Sequence, residues 1–371
     1  MNRAHKIRLI VNNEQATLLK KTCGCNRLAY NWMLAYWKEK YEQGEKPNKY
    51  TVKKAFNAVK KILFPFVQEV NAHAVANDAS DRLGVAYKNF FSGRSKFPKF
   101  HSKKQGVGSF SLTGSEIKYD HEKQKVFIPR LGWLMLAEKI RFEYSKIYNI
   151  TVSCKAGRWF VSFCLEVEPV ALNENQVDNA VGIDLGISAL ATLSDGTVIP
   201  NLRLSNKYSD KLRMLNKQLS RRTKGGKNWW KTVFKIRQLF YKIDCIKQDY
   251  IHKFTTNVSR QFSTVALEDL NVKGMVRNRK LARHISDCSF AEIRRQFEYK
   301  ANNVVIVDRF FPSSKTCSHC GFIQNMPLSK RTFECESCGV SMDRDFNAAV
   351  NLYNFAVSST GSKKPVAYCG S

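Results

Sequence analysis

The chain has 371 residues, room for two or three domains and a sizeable buried core. Hydrophobic residues make up 43%, which excludes a disordered chain, and 61 Lys+Arg against 31 Asp+Glu leave a formal net charge of +30. That excess goes beyond what solubility needs and points to a polyanionic partner; an incidentally basic surface and an anionic membrane are the alternatives. There is no apolar run of 18 residues and no charged-then-apolar opening. The expectation is therefore no membrane span, no secretory signal and a cytoplasmic location.

In "HKIRLIVNN", Ile7, Leu9 and Val11 alternate on one face and predict a strand, after which Asn12 or Asn13 caps a helix. From Glu14 to about Phe91 the pattern is helical, with Leu28, Trp32 and Tyr36 at spacing four and Val75, Ala79, Leu83 and Tyr87 likewise. A polar loop from Gly44 to Lys49 interrupts it. Cys23 and Cys25 read as buried sulfur. The stretch "FFSGRSKFPKFHSKK" then interleaves Phe97 and Phe100 with Arg94, Lys96, Lys99, Lys103 and Lys104. Aromatics beside cations stack on bases while neutralising phosphates, so these are candidate nucleic-acid contacts; a solvated loop pinned by Phe is the plainer reading. A β-rich stretch follows from about residue 105 to 170, with Ala156-Gly157 as a hairpin turn, and "PVALNENQVDNA" reads as a linker.

Three acidic interruptions come next. Asp184 breaks an apolar strand in "AVGIDLG", where a carboxylate is costly unless compensated. Glu268 and Asp269 end the apolar run "FSTVALED"; adjacent strand residues face opposite sides, so one of the two shares a site with Asp184. An amphipathic helical stretch between the two runs suits parallel neighbours that bring their acid-bearing ends together. Residues 201–260 carry 16 Lys+Arg against three Asp, and two amphipathic helices break at Gly225-Gly226. Leu212, Leu215 and Leu219 line one apolar face; Val233, Ile236, Phe240 and Ile243 line the other. Arg221, Arg222 and Lys224 at the break are candidate phosphate contacts or a solvated turn. Ser289 and Glu292 match a capping box opening a helix with Phe290, Ile293 and Phe297 inward and Arg294 and Arg295 free. The third acidic site is "MDRDFNAAVNL", where Asp343 and Asp345 begin a helix and one of them serves as its cap. Three converging carboxylates would hold two divalent cations, and hard oxygen ligands select Mg²⁺ or Mn²⁺.

Cys317, Cys320, Cys335 and Cys338 form two C-x-x-C pairs separated by 14 residues, with Gly321 and Gly339 following each pair where a knuckle turn needs positive φ. An odd total of eleven cysteines in a long chain argues against a disulfide scaffold, and this spacing reads as a structural Zn²⁺ site. The metal supplies folding energy to a loop with little core and fixes the approach to the acids just beyond it.

Together "GIDLG", "ALEDL", "CSHCG…CESCG" and "DRDFNAAVNL", with "NRLAYNWML", "FPKFHSK", "RLGWLML" and "AGRWFVSF", resemble the transposon-encoded TnpB family, relatives of the compact type V CRISPR effectors. The resemblance covers nearly the whole chain. It implies a multidomain α+β protein: a wedge β-barrel over 1–12 and 105–170, a helical recognition domain over 13–104, a linker over 171–178, an RNase H-like (RuvC) α/β nuclease domain over 179–311 and 341–357, a four-cysteine zinc ribbon over 312–340, and a disordered tail over 358–371. It implies cleavage of target double-stranded DNA directed by a guide RNA from the element's own end. Carried over position by position, the family triad falls on Asp184, Glu268 and Asp345, which leaves Asp343 as the structural acid. Rival readings are an RNA-guided binder that cuts nothing, and a true transposase that joins strands.

Overall fold

The computed structural model describes residues 2–103, 108–168, 179–327 and 329–360. The linker expected over 171–178, Lys104 and residues 361–371 lie outside them. The chain divides into two compact units, residues 1–170 and 171–371.

In the first unit, β1 (Asn2–Ile10) is followed by Asn12, whose side chain and that of Gln15 close a capping box on α1 (Asn13–Glu42). Helices α2 (Lys49–Leu63) and α3 (Ala72–Phe91) follow, then strands β2 (Ser109–Thr113), β3 (Lys118–Asp120), β4 (Lys125–Ile128), β5 (Gly132–Leu136), β6 (Lys146–Lys155) and β7 (Arg158–Glu166). The strands form a seven-stranded antiparallel sheet in the order β2-β6-β7-β1-β5-β4-β3 among the described residues. The first strand therefore lies inside the sheet, running against β7 from Asn2↔Glu166 to Leu9↔Trp159, and three helices are inserted between it and β2. Its alternation decides this, for Ile7 and Leu9 are buried while Arg8 and Ile10 are exposed.

The helices bury Ala29, Met33, Leu34 and Trp37 of α1 against Phe56 of α2 and Val75, Ala79, Leu83 and Tyr87 of α3. The α1 seam is thus one residue away from the expected stripe. Leu28, Trp32 and Tyr36 flank it, with the Trp32 and Tyr36 rings stacked at 5.3 Å. Cys23 and Cys25 are buried, as expected of structural sulfur.

In the second unit, β8 (Ala180–Asp184), β9 (Ala189–Leu193) and β10 (Val198–Pro200) form an antiparallel meander. Helices α4 (Leu204–Lys207), α5 (Ser209–Ser220) and α6 (Lys227–Gln261) lead to β11 (Thr264–Glu268). Then come α7 (Val272–Met275), α8 (Ala282–Cys288), α9 (Phe290–Lys300), β12 (Asn303–Val307), the two-stranded β13 (Thr332–Glu334) and β14 (Ser341–Asp343), and α10 (Arg344–Thr360). The main sheet runs β10-β9-β8-β11-β12, with β11 parallel to both β8 and β12. Helix α10 runs on past residue 358, where the sequence suggested that the tail would start.

Three local expectations are corrected. Phe240 is 52% exposed, and in the first half of α6 the buried residues are Thr232 and Leu239. Ser289 has φ +55°, in the left-handed region, and makes no side-chain cap on α9. Arg294 and Arg295 are paired: Arg294 with Asp269 and Glu298, Arg295 with Glu292. Phe290, Ile293 and Phe297 do point into the core.

Helix α10 packs directly on β8, and Gly182 makes that approach possible. A Cβ there would sit 2.0 Å from the Ala349 carbonyl oxygen and 2.4 Å from the Tyr353 amide nitrogen. Gly182→Ala is expected to destabilise the protein by about 1–3 kcal/mol or more, because backbone on both sides must move. A thermal melt checks this, and an unchanged midpoint would refute the close packing.

Candidate active site

Parallel pairing of β8 with β11 puts Leu267 opposite Ile183, so the next residues, Glu268 and Asp184, leave the sheet side by side at its C-terminal end. Helix α10, lying over β8, brings Asp345 in its first turn to the same end. The three carboxylates line one cleft of about 650 Å³, together with Ser313, Arg331 and Arg344.

Each of the two open pairs resolves on geometry. Asp343 Oδ1 accepts from the Asp345 and Phe346 amides at 2.9 and 3.0 Å and so caps α10, which leaves Asp345 facing the cleft. Asp269 turns to Arg294 and Arg309, which hold its carboxyl below the usual range, Arg309 foremost. Glu268 instead accepts a 2.9 Å hydrogen bond from Ser313 Oγ. Burial pushes its pKa up, and the Ser313 bond works against that rise.

Asp184 is the strained member. Burial first, then the neighbouring charges of Asp345 and Glu268, push its pKa up to about 7, with Arg344 opposing. Among the described residues no donor reaches its carboxylate. Asp345 has its own cations, Arg344 Nη2 at 3.2 Å and Arg331 Nη1 at 3.8 Å. A half-buried carboxylate beside two others, with only partial cationic compensation, suits a divalent cation bound by hard oxygen ligands. The three have not closed around a common point. Among the described residues, the four ribbon cysteines are the set of three or more ligating groups whose atoms all lie within 4.8 Å of one another.

Those cysteines form a closed tetrad. Cys317 and Cys338 sulfurs are 3.7 Å apart and those of Cys320 and Cys335 are 3.5 Å apart. Four thiolates about 2.3 Å from one tetrahedral ion would be separated by roughly 3.75 Å, so the set fits Zn²⁺. Gly321 and Gly339, with φ +77° and +71°, close each knuckle by donating to the carbonyls of Cys317 and Cys335. The Cys338 amide also donates to Cys335 Sγ and holds that thiol down to about 6. Phe333 and Met326 complete a small core.

The ribbon is bolted to the carboxylate site by two asparagines that the sequence reading passed over. Asn347 Nδ2 donates to the Thr316 carbonyl and its Oδ1 accepts from the Ser318 amide. Asn351 Nδ2 donates to the carbonyls of Ser313 and Thr316. Both are buried on α10. From the ribbon's loop the Arg331 carbonyl accepts the Arg344 amide at 2.8 Å. Two buried Asn at i and i+4 in an otherwise apolar helix were the available signal, since buried amides need partners.

The basic candidates are spread out. Arg94, Lys96, Lys99 and Lys103 are exposed on one loop. Phe97 packs edge-on against Tyr87 and Phe90, and Lys38 sits over the rings of Phe97 and Phe100 at 5.2 and 5.0 Å. Arg221 and Lys224 are exposed, whereas Arg222 folds back onto Asn228 and Thr232.

Three family profiles match the chain: "Helix-turn-helix domain" over residues 1–46, "Probable transposase" over 162–279, and "Cas12f1-like, TNB domain" over 290–352. The first stretch is here a strand and one long helix. A Streptomyces pristinaespiralis protein, provisionally named an RNA-guided DNA endonuclease, is 35% identical over 95% of this chain and 89% of its own. The chain belongs to the TnpB family. A second such relative, InsQ of Escherichia coli K12, carries the same provisional name and is 32% identical over 94% of this chain and 91% of its own. A Cas12f1 chain solved by cryo-electron microscopy in a complex with sgRNA and target DNA superposes with a TM-score of 0.54 at 18% identity, over 93% of this chain and 84% of that one. It shares the mixed α/β fold with this TnpB-family chain. No helix of the described residues is long and apolar enough to cross a membrane.

Two tests follow from the electrostatics and the ribbon. Because folding raises the Asp184 pKa from the ordinary 3.8 to about 7, its contribution to stability is full below about pH 4 and is lost as pH rises through about 7. Without added Mg²⁺, denaturation midpoints should fall across that window, and Asp184→Asn should flatten the fall; parallel pH curves for both would contradict the assignment. Metal analysis of purified protein should give one zinc per chain. Cys335→Ser should lose it and melt at lower temperature.

Proposed function

We propose that this protein is a transposon-encoded, RNA-guided DNA endonuclease that cuts by metal-dependent phosphodiester hydrolysis. The observation that carries the reading is the meeting of Asp184, Glu268 and Asp345 at one cleft, in a chain whose relatives more than 30% identical bear that name. The sheet order β10-β9-β8-β11-β12, antiparallel in its first three strands and parallel beyond, supports an RNase H-like (RuvC) nuclease domain. The seven-stranded antiparallel sheet interrupted by three helices supports a wedge β-barrel with an inserted recognition domain. Guide RNA pairs with the target strand, and the +30 charge holds the heteroduplex by its backbone while the protein reads a short flanking motif.

Asp184, Glu268 and Asp345 would hold Mg²⁺ or Mn²⁺, which when bound activates water and stabilises the leaving oxygen. The protein's own contribution is placement. Ser313 orients Glu268, and its hydrogen bond works against the rise that burial imposes on that carboxyl. Arg344 and Arg331 hold Asp345 and put positive charge where a phosphodiester would lie. A zinc held by Cys317, Cys320, Cys335 and Cys338 would be structural, and the tetrad would keep the two segments bearing Ser313 and Arg331 in position.

Asp184→Ala is expected to abolish plasmid cleavage in Mg²⁺ while leaving guided binding intact. Persistent cutting by that variant would require a different triad. A wild-type protein that binds its guide and target but never nicks would be a homing or repressor protein, and strand-transfer products would mark a transposase.

A further inference from the structure

Strand β12 pairs parallel with β11, with Val307 opposite Glu268, so the chain that leads on to the ribbon leaves the sheet at the carboxylate end. It is tied there at two points. Arg309 pairs with Asp269, and four residues on Ser313 Oγ donates to Glu268 at 2.9 Å. The backbone between them is a fixed turn. The Phe310 amide donates to Asp308 Oδ1 at 2.8 Å, the Phe311 amide to the Asp308 carbonyl at 3.0 Å and the Ser313 amide to the Phe311 carbonyl at 2.8 Å. Phe311 turns inward: its ring meets Phe355 edge-on at 5.4 Å and packs on the cluster of Ala266, Val307 and Leu352. Phe310 turns outward and is 86% exposed, the most of any large hydrophobic side chain among the described residues.

A single exposed apolar side chain is ordinary on a protein surface. This one is held in place, between two residues bonded to the acids at the end of β11. From Phe310 to Ser313 the chain reaches at most about 10 Å, roughly three nucleotide steps at about 3.4 Å each. Arg309 also lines a side pocket of about 280 Å³ that shares Leu185, Glu268 and Phe290 with the carboxylate cleft, so the space beside the turn is open to the site. The surroundings are cationic. Arg309 and Lys315 are exposed on the same segment, and Arg331 and Arg344 line the cleft. An apolar protein surface closing over the ring would strip water from those charges. A nucleobase offers the ring a flat apolar face while its own strand brings phosphates to the cations.

We propose that Phe310 stacks on a base of the DNA strand being cut, within about three nucleotides of the scissile phosphodiester, and so holds that bond over the carboxylates. The proposal rests on the reading of the protein as a guided DNA endonuclease, and it names a substrate contact separate from the carboxylates and from guide pairing.

The test uses the full chain loaded with guide RNA, a matched duplex DNA target and Mg²⁺, and reads single-turnover cutting. The targets carry one abasic nucleotide, moved step by step across the mapped cut. Phe310→Ala should slow cutting of intact DNA by about 5-fold or more, the share of one stacked base, with target binding in a gel shift and the thermal midpoint as in wild type. One abasic position should slow wild type by a similar factor, and on that target Phe310→Ala should add no further slowing. Phe310→Trp should restore cutting of intact DNA. The proposal is overturned by a Phe310→Ala protein that cuts intact DNA at the wild-type rate, by a lowered thermal midpoint, or by a slowing that Phe310→Trp does not restore. A slowing that comes with loss of a dimer in solution overturns it too, and gives the ring to a second copy of the chain. A wild type that cuts no matched target defeats the functional reading itself, whereas a wild type that cuts, with the Phe310→Ala slowing equal at every abasic position, defeats the stacking alone.

Discussion

Repulsion among three carboxylates gathered at one end of a sheet is the constraint on which the rest of the second unit depends. Asp184 bears most of it, held among like charges with no hydrogen-bond donor among the described residues. Such an arrangement persists only when the surrounding fold is stable enough to impose it. Here β8 and β11 are buried along their length, and α10 lies so close on β8 that no side chain fits at residue 182. Relief is partial and unevenly placed: Arg344 and Arg331 attend Asp345, Ser313 attends Glu268, and Asp184 has the charge of Arg344 alone to oppose its rise.

The ribbon belongs to the same design. It has a core of a few residues and gains its order from four thiols, yet it touches the carboxylate site at three places. Asn347 and Asn351 fasten its leading segment to α10, Ser313 in that segment reaches Glu268, and the loop between the cysteine pairs delivers Arg331. A distortion of the thiol tetrad would therefore be transmitted to two of the three acids through hydrogen bonds that span a few ångströms each. This is the physical sense of a metal staple placed beside acidic residues.

How much of this was legible in sequence depended on how local the deciding interaction is. Acids ending apolar runs marked the strand ends at 184 and 268, and an amphipathic crossover implied their parallel pairing, because burial and periodicity act residue by residue. Cysteine spacing marked the ribbon for the same reason. Asp343 and Asp345 looked alike, since either can cap a first turn; only the observed bonds to the Asp345 and Phe346 amides separate them. Arg294 looked free because one partner, Asp269, is 25 residues away, although Glu298 one turn on was within local reach. At Ser289 the backbone entered the left-handed region between α8 and α9, so a sequence match to a capping box carried no cap.

The order of the acids along the chain has a consequence for biosynthesis. Asp184 and Glu268 emerge from the ribosome well before the cysteine tetrad, and Asp345 emerges after it, on the helix that must then dock on β8. A nascent or prematurely released polypeptide that ends between Glu268 and that helix carries two of the three carboxylates and lacks the third. The three acids therefore come together only once α10 has been made and has docked, however early the sheet beneath it forms.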